Sequence, residues 1–343
     1  MRVSVICPVL DTPPDLLEAA ARSVLDPAAN GAAEFILVDD GSTEPATQGA
    51  IGRLEGWPGV TLVRHPTRRG VAAARNSGIA RAAGDWIGFV DSDDAWMPGW
   101  LETARGVLAR HPDAGWIGGR FQESFPDGRL VPFRPLREVL PPAEVFADGV
   151  ERYDSLALAR SKLVTTTVMV WTTLVRRDLV LAAGGFDERL AFKEDLLFML
   201  RLGRLAELHH VDVLNYLYRR GDAYDVHIRR QVTPANVAIY PIAGRDPLLR
   251  PLRREIRWAH YANAKGTALL NLVHGDRWTA LRMALRAWAI DPREVLDLAR
   301  FARLACLPPE RVWRESRGYS GWMIPPPVPR AQLDQIMAMP PLT

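Results

Sequence analysis

Short apolar runs alternate with segments of helical apolar spacing through the first half of the chain. Residues 2–10, "RVSVICPVL", form a continuous apolar run that predicts a strand, and residues 14–25, "PDLLEAAARSVL", repeat apolar side chains at helical intervals. The pattern then predicts, in order, strands over residues 33–42 and 60–65, a helix rich in small residues over 70–84 and a strand over 85–94. This alternation is typical of an α/β fold with a mostly parallel sheet flanked by helices.

The middle of the chain continues with both kinds of element and one Pro-rich stretch. We expect, in order, a helix over 99–113, a strand over 114–124, a long surface loop over 125–144, a strand over 163–177, two helices around a Gly-Gly turn within 178–206 and a strand over 208–220. The strand over 163–177 is predicted from the β-branched residues of "LVTTTVMVWTTLVRR".

The chain changes character from about residue 245 onward. Residues 253–305 have helical spacing throughout, interrupted by Gly-Asp and Asp-Pro breaks. Residues 275–292 are similar to one tetratricopeptide-type helix, but a single copy cannot bury its apolar face in a repeat array. We therefore interpret this part as a helical appendage, followed by a Pro-rich, extended tail over residues 316–343.

Composition excludes several classes of protein. The balance of 43 basic and 40 acidic residues is too mild to indicate a nucleic-acid partner, and none is expected. The two cysteines exclude a disulfide scaffold and fit a reducing compartment, with Cys7 expected as an inert thiol in the core. We recognise neither a signal peptide nor an apolar run long enough to span a bilayer, which predicts a cytoplasmic protein whose membrane contact would be peripheral, at the inner face.

Acidic residues follow two of the predicted strands. Asp39 and Asp40 end one strand, and Asp91, Asp93 and Asp94 end another. In an open parallel sheet, ligands bind beyond the carboxyl ends of the strands, so we expect these side chains to line one crevice. Carboxylates this close repel one another unless solvent, a cation or hydrogen bonds compensate. The alternatives are therefore a pair of solvated loops and a binding site.

Two kinds of ligand suit such a crevice. A divalent metal ion that carries a diphosphate needs only one or two carboxylates, and an Asp at a strand end can also accept hydrogen bonds from a base or a ribose. The first strand–helix turn, "CPVLDTPPDL", lacks the G-x-G-x-x-G pattern, which disfavours NAD.

Five segments of the chain together resemble the family 2 glycosyltransferases of the GT-A fold. They are, in order, "VSVICPVLD", "FILVDDGSTEP", "GVAAARNSGIARAAGDWIGFVDSDD", "VRRDLVLAAGGFDERL" and "KEDLLFMLRL". The resemblance covers roughly residues 1–220 and implies a Rossmann-like GT-A domain there. We expect a loop near the active site over 221–245 and a helical C-terminal region over 246–315.

The resemblance implies an inverting, metal-dependent hexosyltransferase. Such an enzyme moves a sugar from a nucleotide-diphospho-sugar, most commonly a UDP-sugar, to a hydroxyl of a glycan or lipid-linked acceptor. The Q-x-x-R-W motif of processive, membrane-embedded synthases is not found. Two alternatives stay open: a nucleotide-sugar-binding protein without catalysis, and a sugar-phosphate nucleotidyltransferase. The second needs a Gly-rich signature near the N-terminus, and the segment "ICPVLDTPPD" does not supply one.

The same resemblance implies the donor-binding residues. Pro8 and Val9 would lie against the nucleobase, and Asp39 would accept a hydrogen bond from the base. Arg75 would lie near the diphosphate or brace the aspartates. Asp91 would bind the ribose, with Ser92 in the same donor-binding set.

A second set concerns the metal ion. Asp93 would coordinate Mn²⁺ or Mg²⁺ between the phosphates, with Asp94 behind it. His227 is a candidate for the family's metal-contacting His, the alternative being an ordinary surface or core histidine. Arg219 and Arg220 could clamp the diphosphate or be solvated.

Asp195, in "KED" at a predicted helix start, corresponds to the family's catalytic base. An inverting transfer needs a base for the acceptor proton, and a metal ion can neutralise the leaving diphosphate, so one carboxylate and one ion suffice. The alternative is that Glu194 and Asp195 are acidic residues favoured by the helix dipole.

A basic segment with a tryptophan, "RPLRREIRWAH" over residues 250–260, has several interpretations. It could lie on an anionic membrane surface and bring the enzyme to a lipid-linked acceptor. A solvated helix face and a homodimer contact are the alternatives.

Overall fold

The chain divides into two compact units, Met1–Gly221 and Asp222–Thr343. A computed structural model describes residues 1–32, 34–164, 168–220, 234–292, 295–308 and 311–312. The predicted tail over 316–343 lies outside the described residues.

The first unit is organised around one sheet. Its described residues form the strands β1 (Val3–Val9), β2 (Glu34–Asp39), β3 (Val60–Arg64), β4 (Trp86–Phe89), β5 (Ala95–Trp96), β6 (Trp116–Ser124), β7 (Leu130–Pro132), β8 (Glu144–Val145), β9 (Glu151–Tyr153), β10 (Thr173–Arg176) and β11 (Leu208–Arg219). The strand order is β3-β2-β1-β4-β10-β6-β11-β9-β8, while β5 pairs with β11 and β7 with β6.

Four parallel strands at one side of the sheet create the edge where the acidic loops begin. β1 pairs in parallel with both β2 and β4, and β2 pairs in parallel with β3. Val9 lies opposite Asp39, and Ile6 opposite Phe89. The carboxyl ends of β1, β2 and β4 therefore meet at one edge, as the sequence predicts. β10 enters antiparallel between β4 and β6, so the sheet is mixed beyond β4.

Helices flank this sheet. They are α1 (Pro14–Leu25), α2 (Pro45–Glu55), α3 (Val71–Arg81), α4 (Trp100–Arg110), α5 (Ser155–Val164), α6 (Arg177–Ala182) and α7 (Glu194–Leu202). Ala72, Ala73 and Ala74 of α3 are buried, and these small side chains let the helix lie close to the sheet. Cys7 is fully buried in β1, and burial, with the negative charge of Asp91 close by, raises the pKa of its thiol, which fits the inert core thiol predicted.

Three sequence predictions for this unit need correction. The segment before β3 contains α2, an element that the sequence analysis did not assign, although Pro45 at its start is a regular first helical residue. Residues 125–144, expected as a surface loop, contain β7 and reach into β8.

The predicted strand over 163–177 is the third correction. Among the described residues of this segment, only β10 is a strand; it follows a 3₁₀ helix over Val170–Thr172. Thr172 and Thr173 donate their hydroxyl groups to the carbonyls of Met169 and Val170, both at 2.9 Å. Such local bonds favour a turn over a strand, whatever the β-propensity of threonine.

The second unit is helical where it is described. It contains α8 (Ile239–Arg245), α9 (Arg253–Val273), α10 (Arg277–Ile290) and α11 (Val295–Ala305), so residues 239–245, expected within a loop, form a helix. Gly275 has φ of 84°, and the Asp276 carboxylate caps α10 by accepting the N–H of Thr279 at 2.9 Å. Among the described residues, no helix has the length and apolar character needed to cross a membrane.

The contact between α3 and β1 can be tested at Gly78. A Cβ atom there would lie 2.4 Å from Cγ2 of Ile6, whereas a Cβ at Gly52 in α2 would meet nothing within 4 Å. We expect Gly78→Ala to lower the free energy of unfolding by about 1–3 kcal/mol, because overpacking outweighs the gain in helix propensity. The matched Gly52→Ala should raise it by about 0.5–1 kcal/mol. Urea unfolding of both variants checks this, and a stabilised Gly78→Ala would contradict the packing described.

Candidate active site

Hydrogen bonds join the loops that follow β1, β2 and β4. The Asp11 carboxylate, after β1, accepts the backbone N–H groups of Thr43 at 2.7 Å and Glu44 at 2.8 Å in the loop after β2. Thr12 and Ser92 share a hydroxyl–hydroxyl hydrogen bond of 2.6 Å, which links the loops after β1 and β4. The three loops are thus held in fixed register around the carboxyl edge of the sheet.

The two acids that follow β2 have different surroundings. Asp39 is buried, and its Oδ1 accepts the N–H of Ser42 at 2.8 Å. Asp40 uses both oxygens: Oδ1 accepts from His65 Nδ1 at 2.7 Å and from the N–H of Arg69 at 2.9 Å, and Oδ2 accepts the N–H of Gly70 at 2.7 Å. Asp40 therefore braces the loop before α3, and Asp39 is the better placed of the two for a ligand.

Asp94 is the buried anchor of the loop after β4. Its Oδ2 accepts the phenol of Tyr216 at 2.9 Å, and its Oδ1 accepts the N–H of Arg219 at 2.7 Å. The same Tyr216 oxygen accepts the N–H of Asp91 at 3.0 Å. Burial and the charges of Asp91 and Asp93 raise the pKa of Asp94 well above its usual range. The sequence does not single out Tyr216, which is one of two tyrosines in β11.

Asp91 and Asp93 are the more accessible acids of this loop. The side chain of Asp91 is 28% exposed, and Asp93 is exposed. The neighbouring protein atoms partly desolvate the Asp93 carboxyl group, and this desolvation, together with the charge of Asp91, raises the pKa of Asp93. Arg219 Nη1 donates to the backbone carbonyl of Asp93 at 3.0 Å, so this arginine holds the loop in place.

Arg75, from α3, lies between two carboxylates. Its Nη2 donates to Asp91 Oδ1 at 2.9 Å and its Nη1 to Glu194 Oε1 at 2.8 Å, and the residue is only 5% exposed. Burial alone would lower the pKa of Arg75, but the charges of Asp91, Glu194 and Asp195 raise it above its usual value. This cation connects the loop after β4 to the first turn of α7, where Asp195 lies.

Asp195 is half-buried at the start of α7. Its Oδ1 accepts the N–H of Leu196 at 2.7 Å. Burial lowers the pKa of Lys162 and of Lys193 to about 8 each, while the negative charge of Asp195 acts in the opposite sense on both. Arg75 also feels the charge of Asp195, so three basic side chains lie within electrostatic reach of this carboxylate. Lys193 adopts a left-handed conformation with φ of 64° directly before the helix.

The other predicted site residues are placed as follows. Pro8 is half-buried in β1. Val9 is only 1% exposed, and its carbonyl accepts the N–H of Asp40 at 2.9 Å, so its contact with the nucleobase stays a prediction. Arg220 is paired with Glu123, and its side chain is 36% exposed. His227 lies outside the described residues, and its role at a metal ion stays a prediction.

Hard oxygen ligands are available for a divalent ion at this edge. Within the described part of the chain, no three His, Cys, Asp or Glu side chains are grouped to hold a metal ion. Mg²⁺ and Mn²⁺ commonly take one or two carboxylates and complete their shell with phosphates and water. The exposed carboxylate of Asp93 fits an ion that arrives with a diphosphate.

A cavity of about 490 Å³ lies elsewhere in the first unit, among residues that include His111, Arg152 and His209. It adjoins the starting ends of β6 and β11, and the start of β6 lies near the start of β4 across β10. The cavity is therefore at the edge opposite to the acidic loops. Its Arg152 is already paired with Glu144 and Glu207, so the cavity does not compete as a donor site.

A family model described as glycosyl transferase family 2 matches residues 4–174, about half of the chain. The chain belongs to glycosyl transferase family 2. It is 30% identical over 191 residues to the uncharacterized glycosyltransferase YibD of Escherichia coli. The aligned region covers 53% of this chain and 46% of that protein. The chain spans about half the length of the curated relatives it matches.

Two solved structures share the fold. S. aureus TarS 1–349 in complex with UDP-GlcNAc aligns with a TM-score of 0.54 at 17% identity, over 82% of this chain and 89% of that one. The mannosyltransferase PcManGT of Pyrobaculum calidifontis, in complex with GDP-Man and Mn²⁺, aligns with a TM-score of 0.51 at 22% identity, over 93% and 84%. These likenesses confirm the predicted GT-A type of α/β fold.

The Arg75 bridge can be tested by its stability contribution. Removing the guanidinium in Arg75→Met leaves Asp91 and Glu194 without their buried partner, so we expect the free energy of unfolding to fall by about 3–5 kcal/mol. The matched control is Arg69→Met, since Arg69 pairs with Glu188 at 3.2 Å with both side chains more than 40% exposed. That exposed pair should contribute less than about 1 kcal/mol. Equal, small losses in urea unfolding would contradict the bridging role.

Proposed function

We propose that this chain is an inverting, metal-dependent glycosyltransferase that moves a sugar from a nucleotide-diphospho-sugar to a hydroxyl of a glycan or lipid-linked acceptor. The observation that carries the proposal is the Arg75 bridge, which ties the acidic loop after β4 to the turn that bears Asp195. A donor site and a proton acceptor can act on one substrate only if they are held in fixed relation.

The donor's nucleoside would be held at the ends of β1 and β2. The N–H of Ser42 donates to Oδ1 of Asp39 and so orients this carboxylate. Its Oδ2 would accept the N3–H of uracil or thymine. Pro8 would contact the base, and Asp91 would accept a hydroxyl of the ribose while Arg75 fixes its orientation. Ser92, fixed by Thr12, would complete this set.

Asp93 would hold Mn²⁺ or Mg²⁺, which when bound would neutralise charge on the departing diphosphate. The acceptor oxygen attacks the anomeric carbon as the bond from that carbon to the diphosphate oxygen breaks. Asp195 takes the proton of the acceptor hydroxyl, which makes the oxygen a stronger nucleophile. No covalent intermediate is needed. Lys162 and Lys193 balance the charge of Asp195 in the free enzyme.

Thermal unfolding with UDP, dTDP, GDP, CDP and NAD, each with and without Mn²⁺, tests the donor site. A nucleoside diphosphate that binds only the folded chain should stabilise it by about 2.7 kcal/mol at a hundredfold excess over its dissociation constant. We expect one diphosphate, UDP foremost, to act, and Mn²⁺ to strengthen the effect in the wild type but not in Asp93→Ala. Asp178→Ala, an exposed acid on α6, is the matched control.

Two results would contradict the proposal. If none of the nucleoside diphosphates raised the melting temperature, the proposed donor site would be wrong. A shift that is indifferent to Mn²⁺, or that persists unchanged in Asp93→Ala, would remove the metal from it.

A further inference from the structure

Helix α10 carries apolar side chains on two faces. One face is buried, with Ala280, Met283, Ala284 and Ala287. The other is exposed and consists of Trp278 (77%), Leu281 (42%), Leu285 (47%) and Trp288 (41%). We call these four residues the Trp/Leu stripe. Their spacing of three, four and three residues keeps them within about 80° around the helix axis, so they form one continuous row.

Hydrogen bonds at both ends of α10 hold the helix that carries the stripe. Asp276 caps the start of α10, and the guanidinium of Arg257 in α9 donates two hydrogen bonds, of 3.0 and 2.8 Å, to the carbonyl of Ile290 at the end of α10. Both ends of the helix are therefore fastened within the second unit. Contiguous exposed apolar surface on a soluble protein commonly marks an interaction site.

Basic side chains border the stripe. At about 100° per residue, Arg277 falls on one side of it, and Arg282 and Arg286 fall on the other. Residues 253–290 carry seven Lys and Arg against two Asp and Glu, whereas the whole chain carries 43 against 40. The excess positive charge of the protein is thus concentrated on α9 and α10, and the remainder is slightly acidic.

We propose that the Trp/Leu stripe docks α10 on the surface of an anionic phospholipid bilayer. Tryptophan suits the headgroup region because its ring is apolar and its N–H is polar, and leucine reaches the acyl boundary. The arginines extend their stems along the apolar surface and place their guanidinium groups among the lipid phosphates. This inference goes beyond the proposed function, and vesicle binding can succeed or fail whether or not sugar transfer occurs.

Other occupants fit the stripe less well. A second copy of this chain, docked stripe to stripe, would bring the arginine borders of two copies together, and like charges repel. A nucleic acid would pair with the arginines and stack on the tryptophans but would leave Leu281 and Leu285 without a partner. A bilayer satisfies the apolar row and its charged borders together.

Co-sedimentation of the full chain with vesicles tests the proposal. The wild type should bind vesicles of 70% phosphatidylcholine and 30% phosphatidylglycerol at least tenfold more tightly than vesicles of phosphatidylcholine alone, and 0.5 M NaCl should weaken that binding because it screens the headgroup charge. Arg277→Gln should weaken it about fivefold, as expected for one basic side chain. Trp278→Gln/Trp288→Gln and Leu281→Gln/Leu285→Gln should each lose binding by more than tenfold.

Leu181→Gln is the matched control, since Leu181 is 51% exposed on α6 of the first unit and should bind as the wild type does. Melting curves verify that each variant is folded. Equal affinity for neutral and anionic vesicles, no binding by the wild type, or wild-type binding by the tryptophan variant would overturn the proposal. So would a dimer in light scattering that dissociates in Trp278→Gln/Trp288→Gln, because the stripe would then be covered by a second copy.

Discussion

The buried guanidinium of Arg75 is the constraint on which the candidate site depends. It lies between Asp91, at the end of β4, and Glu194, at the start of α7, and it is almost wholly removed from solvent. Two segments more than one hundred residues apart in the chain are therefore held together by one cation. A buried charge is costly unless it is paired. Neither segment can therefore move without exposing the Arg75 guanidinium or breaking one of its ion pairs. The proposed donor loop and the proposed base consequently act as one unit.

The acids at this edge of the sheet differ in the hydrogen bonds that their carboxylates make. Asp40 and Asp94 are buried, and they spend their hydrogen-bonding capacity on backbone N–H groups, on His65 and on Tyr216. Asp93 is exposed, and Asp91 is partly so. Asp40 and Asp94 thus stabilise the loops, while Asp91 and Asp93 remain accessible to a ligand. A carboxylate that accepts several backbone donors stabilises a loop in a way that an Asn, with one acceptor oxygen, cannot reproduce.

Much of the fold follows from the sequence because the strands β1, β2 and β4 are continuous apolar runs, and acids mark the ends of β2 and β4. The pattern cannot show that Asp40 uses both carboxylate oxygens on His65 and the loop before α3 while Asp39 uses one oxygen on Ser42, because both acids lie at the end of the same strand. Tyr216 was missed since its hydrogen bonds depend on β11 lying beside the loop after β4, a contact between distant segments. The threonines near β10 misled the prediction through propensity, which local hydrogen bonds override. Asp195 as a base comes from the family resemblance and not from any pattern of charge or spacing.

The most direct test of the central claim is the behaviour of Asp195→Asn, measured as donor binding and as turnover in the same preparation. Turnover is followed as nucleoside diphosphate released from the donor in the presence of a panel of glycan acceptors. If Asp195 is the base tied to the donor loop through Arg75, the variant binds the donor as the wild type does, and transfer falls by about 10²–10⁴-fold. Turnover that is unchanged would remove Asp195 from the mechanism and contradict the account.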